Sequence, residues 1–112
     1  MAELDRIRRM EDAVVALRRE AVETLARQEE LRSQLAALRE RTGLVEREAS
    51  RALEHAEERR AHQIVYLELR ALGRRDLLQE ELAEARRRTV RLLEDAARLD
   101  DRVRRARQTA EI

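Results

Sequence analysis

The chain has 112 residues, 44% of them charged, with 25 basic against 24 acidic side chains and a single aromatic, Tyr66. So few large apolar side chains argue against a compact core of ordinary size, and a formal net charge of +1 argues against a partner held by bulk electrostatics. Cysteine and lysine are both absent, which removes disulfides, thiolate metal sites and lysine-based covalent chemistry.

Abundant Ala, Leu, Glu and Arg, no Pro and two Gly are the composition of a long helix or coiled coil. The opening residues MAELDRIRRM are charged throughout and lack the apolar core of a signal peptide, and no uncharged run is long enough to span a bilayer. A soluble cytoplasmic protein is therefore expected, with a nuclear one as the alternative.

From the N-terminus a heptad places Ile7, Val14, Ala21, Gln28, Leu35, Thr42, Ala49 and Ala56 at a, and Met10, Leu17, Thr24, Leu31, Leu38, Val45 and Ala52 at d. Twelve of these fifteen are apolar, which predicts a left-handed supercoil against a neighbouring helix. Thr24, Gln28 and Thr42 interrupt the stripe; they are either tolerated at a loose seam or fix its register. Gly43, flanked by Leu38 and Leu44, has the spacing of a glycine-terminated helix end. The heptad nevertheless passes through it in phase, which favours a continuous helix weakened by about 1 kcal/mol. Gly43 stays a second candidate break.

Beyond Ala56 the phase fails. A second heptad has d positions at Ile64, Ala71, Leu78, Ala85, Leu92, Leu99 and Ala106, and a positions at Leu82, Thr89, Ala96, Val103 and Ala110. Its displacement from the first matches neither a stutter nor a stammer, so the two seams are separate. Gly73 followed by Asp76 and Gln79 has the pattern of a helix end and a new N-cap, which predicts helical segments of about 3–72 and 76–110 with a break near Gly73. Edge charges neither favour nor disfavour a parallel dimer, while Leu25, Leu53, Leu72 and Leu93 widen the stripe. The expected fold is all-α, an elongated coiled coil or antiparallel helical bundle of two or three long helices forming one domain.

Between Ile64 and Leu72, seven of nine residues are apolar and point in nearly every direction around a helix. Ile64, Val65, Tyr66, Leu67, Leu69 and Leu72 are thus the candidate self-association or partner-binding residues, with closure of the bundle core as the competing role. Arg86, Arg87, Arg88 and Arg91, with Arg102, Arg104, Arg105 and Arg107, are candidate phosphate contacts. Interleaved carboxylates and the lack of aromatic stacking partners favour a solvated face instead.

His55 and His62 lie seven apart, too far for a helical metal pair, and neither a nucleophile triad nor a phosphate loop is legible. No metal, cofactor, small-molecule substrate or enzymatic activity is expected. The residues point to a helical scaffold or adaptor that self-associates, most simply as a dimer, and binds a protein partner through helix surfaces. Two alternatives stand beside it. One is a nucleic-acid or anionic-membrane binder using the C-terminal arginines; the other is an accessory helical hairpin of a larger machine such as a secretion or motor ATPase.

Overall fold

A computed structural model of the chain describes residues 2–111. They form two α-helices, α1 (Ala2–Glu54) and α2 (Glu58–Glu111), joined by a turn at 55–57, and the described residues contain no strand. The fold is the expected all-α arrangement of long paired helices.

The chain reverses at the turn, not at Gly73. Glu57 N–H donates to the Ala52 carbonyl at 2.9 Å and Ala56 N–H to the Leu53 carbonyl at 3.1 Å, the paired bonds of a Schellman helix end. Ala56 takes the left-handed conformation such an end requires, with φ 55°, where glycine is the usual residue. The Glu57 carbonyl then accepts from Ala61 N–H at 2.9 Å, the first hydrogen bond of α2, so the reversal leaves few orphan backbone groups. Between Ala52 and Ala61 there is no apolar side chain at a seam position larger than Ala56. A straight helix would have nothing to bury there, whereas folding back brings Ala52, Ala61 and Ile64 into one buried cluster with Val45 and Ala49 packed against it.

Gly73 lies inside α2, so the expected segments 3–72 and 76–110 are corrected to Ala2–Glu54 and Glu58–Glu111. Asp76 caps nothing; it sits mid-helix, 3.6 Å from the Arg75 guanidinium. The reason is the one that keeps Gly43 within α1. Ile64, Ala71 and Leu78 carry the seam past Gly73 in phase, and their burial outweighs the modest helix cost of one glycine.

Two compact units are distinguishable, one combining α1 up to Gln28 with α2 from Glu84, the other spanning Glu29–Ala83. In the first, Ile7, Val14 and Ala21 of α1 and Ala85, Leu92, Ala96 and Val103 of α2 are buried, at the heptad positions read from the sequence. Its seam also holds a polar layer. Thr24 Oγ1 and Thr89 Oγ1 lie 2.6 Å apart, and Gln28 Nε2 donates to Thr89 Oγ1 at 2.7 Å. Ion pairs flank it, Arg18 with Asp100, Arg88 with Glu20 and Arg107 with Glu11, each crossing between antiparallel helices. In the second unit, Leu31, Leu35, Ala52, Ala61, Ile64, Leu78 and Leu82 are buried.

Candidate functional site

Counting the second heptad back from Leu82 in sevens meets Arg75, Glu68 and Ala61. Ala61 is buried, and Glu68 and Arg75 are half-buried, so α2 keeps one seam from its first turns onward even where that seam is charged. Stepping from the Ala52/Ala61 layer, the antiparallel register sets Val45 across from Glu68 and Leu38 across from Arg75. Both charged heads turn towards water, so only their aliphatic stems contribute to the seam there. Arg75 Nε is buried and has no hydrogen-bond partner, while the end of its guanidinium reaches Asp76 at 3.6 Å.

The seam of the second unit is consequently open in its middle. Between Leu35 and Ala52 on α1 and between Ile64 and Leu78 on α2, no described residue is fully buried. This is also the segment with the apolar excess. Of the six candidate residues, Ile64 alone is buried and Leu72 is half-buried. Val65, Tyr66, Leu67 and Leu69 face solvent, with Tyr66 62% and Leu69 63% exposed. Closure of the core, the competing role for this segment, is therefore filled by Ile64 and not by its neighbours. Four large apolar side chains exposed along little more than one helical turn are costly in water unless something covers them.

Two concavities lie on this surface. A shallow one is lined by His62, Gln63, Tyr66 and Leu67. The other is a groove of about 420 Å³ between the helices, with Leu38, Val45, Leu67 and Ala71 as its apolar lining, Thr42 beside them and Arg41, Arg70 and Arg74 around it. Leu67 belongs to both. The groove was not found from the sequence because its floor exists only once α2 folds back at 55–57, and the setting of its arginines is shared by others such as Arg39, Arg47 and Arg59. None of the groove's three has an acidic residue three or four positions away on its own helix.

The C-terminal arginines are differently placed. Arg87 and Arg91 both bind Glu84, at 2.8 and 3.1 Å, Arg88 lies 3.6 Å from Glu20, Arg104 lies 3.2 Å from Asp100, and Arg107 pairs with Glu11. Hydrogen bonding and charge from Arg87 hold the Glu84 carboxyl below its ordinary pKa, with a smaller contribution from Arg91. Arg86, Arg102 and Arg105 complete the set, and by heptad position the eight are spread around α2 instead of along one face.

His55, in the turn, points Nδ1 at the Arg51 carbonyl at the end of α1, and His62 points Nδ1 at the Glu58 carbonyl of α2, both at 2.8 Å. Among the described residues, no three His, Cys, Asp or Glu side chains gather into a group that could hold a metal, and no helix is long and apolar enough to cross a membrane. Comparison of the chain with protein-family models, curated proteins and solved structures finds no match.

Proposed function

We propose that this protein is a non-enzymatic helical scaffold or adaptor that works by helix–helix binding, with the Ile64 to Leu72 stretch as its docking surface. One observation carries the reading: the heptad seams are met within the chain, yet Val65, Tyr66, Leu67 and Leu69 remain exposed beside a half-open seam. Apolar side chains in this number form the centre of a binding surface, with Tyr66 as its anchor, since aromatics at an interface bring large contact area at low entropic cost. Self-association through the outward face of Tyr66 and Leu69 is one use of that surface, and a dimer is its simplest product.

The second reading, an accessory hairpin for a larger machine, is favoured by the topology. A chain that pairs its own two helices needs no second copy to close its coiled coil. Light scattering over a dilution series separates the two. Self-association predicts a mass above the single-chain 13.2 kDa that falls in the Tyr66→Ala/Leu69→Ala variant. A mass of one chain at every concentration would remove self-association and leave binding to another protein's helix.

A further inference from the structure

The groove beside Leu67 has a chemistry of its own. Its floor is apolar, contributed by Leu38 and Val45 of α1 and by Leu67 and Ala71 of α2. Around that floor stand Arg41, Arg70 and Arg74, three cations that make no ion pair among the described residues. Other arginines of the chain do face carboxylates, Arg87 and Arg91 on Glu84, Arg104 on Asp100, Arg88 on Glu20 and Arg107 on Glu11, so the groove's three remain available to a carboxylate from outside. Here the positions three and four residues from each arginine are apolar or small, apart from Arg70 and Arg74 themselves, which stand four apart as like charges. That arrangement costs a few tenths of a kcal/mol in the free protein, and an incoming carboxylate relieves it.

We infer that this groove receives an amphipathic helix of another protein, whose apolar stripe lies on Leu38, Val45, Leu67 and Ala71 and whose flanking Asp or Glu side chains pair with Arg41, Arg70 and Arg74. The inference rests on the docking reading above and narrows it to one partner chemistry. Helix-in-groove recognition needs a concave apolar floor between two helices, which the open seam provides. The rim then sets the sign of the partner's flanks, because charge complementarity governs which helices are accepted. A second copy of this chain does not fit the groove by a two-fold contact. Such a contact sets the same patch against itself, which gathers six arginines of one sign around one interface with no carboxylate among the groove's lining to offset them. A flat anionic bilayer meets the guanidinium rim but not the concave floor.

The test is selection on the full chain from a displayed library of amphipathic helices, with the apolar stripe fixed and the flanking positions randomised. The expected result is enrichment of Asp and Glu at the flanks. Binding of the selected helices should weaken about tenfold or more for the Arg41→Glu/Arg70→Glu/Arg74→Glu variant, a loss of about 1.4 kcal/mol. Helices re-synthesised with basic flanks should regain binding to that variant, which also shows that it is folded. Flanks without acidic enrichment, or equal binding to both proteins, would overturn the inference. So would loss of binding to phosphatidylserine vesicles in the variant while helix binding persists. If selected helices ignore the rim yet are lost with Tyr66→Ala/Leu69→Ala, the groove assignment fails and the docking reading stands. If no helix is enriched and the chain is monomeric, both fail.

Discussion

Two residues at opposite ends of the backbone argument have the wrong identity for their conformation. Ala56 adopts a left-handed φ of 55° at the position where a Schellman end normally carries glycine. Gly73 occupies ordinary helix, and a Cβ added to it would meet nothing within 4 Å. Left-handed backbone costs an L-residue roughly 1–2 kcal/mol, partly offset by the smaller chain entropy alanine loses on folding. Ala56→Gly should therefore raise stability by about 0.5–1 kcal/mol, and Gly73→Ala by about 1 kcal/mol from helix propensity alone. Thermal denaturation followed by circular dichroism measures both. A destabilising Gly73→Ala would restore the helix break that the sequence suggested, and a neutral Ala56→Gly would mean the turn is held by packing instead. The reversal point was hard to read from the sequence for this reason: glycine, the strongest local punctuation, stands where the helix continues, and alanine stands where it ends.

At the scale of the element, the seam was legible because burial follows the heptad. Every a and d position from Ile7 to Ala52 is buried or half-buried. In α2 the d positions were legible from Ile64 onward but the a positions only from Leu82, because Arg75 and Glu68 occupy a positions and break the apolar count without breaking the geometry. The polar residues of the seam divide by what they bond. Thr42 Oγ1 donates only to the Leu38 carbonyl of its own helix, at 2.8 Å, and is simply tolerated. Gln28 and Thr89, each 5% exposed, bond to one another across the pair. Each hydroxyl has one proton, and two arrangements use both: Thr89 donates to Thr24 and Thr24 to the Ala21 carbonyl, or Thr24 donates to Thr89 and Thr89 to the Ala85 carbonyl, with Gln28 N–H donating to Thr89 in either. A one-residue slip would break both cross-helix links, so the layer fixes register. Thr89→Val keeps the volume and leaves Gln28 Nε2 buried without an acceptor, for a loss of about 1–3 kcal/mol. Adding Gln28→Leu and Thr24→Val should recover most of that loss, since an apolar layer satisfies itself. Chemical denaturation of the single and triple variants measures this. A triple variant as unstable as Thr89→Val would show that the layer contributes more than satisfied hydrogen bonds.

For the whole molecule the two units differ in kind. The unit built from α1 up to Gln28 and α2 from Glu84 carries buried apolar residues along its length, a satisfied polar layer and cross-helix ion pairs. The unit spanning Glu29–Ala83 has buried residues towards both ends of its seam and none through its middle. Local opening is easiest where few apolar contacts hold a helix, and binding surfaces are drawn from such regions. Amide hydrogen exchange should therefore show residues 38–49 and 65–75 exchanging at least about tenfold faster than 85–103. A helix seated in the Arg41, Arg70 and Arg74 groove adds the apolar contacts that the charged a positions leave out, so it should slow exchange in both segments together. Equal protection along both helices of the free protein would mean that the open seam is rigid. Its exposed leucines would then be an ordinary surface, and the unpaired arginines would be the sole remaining argument for a partner.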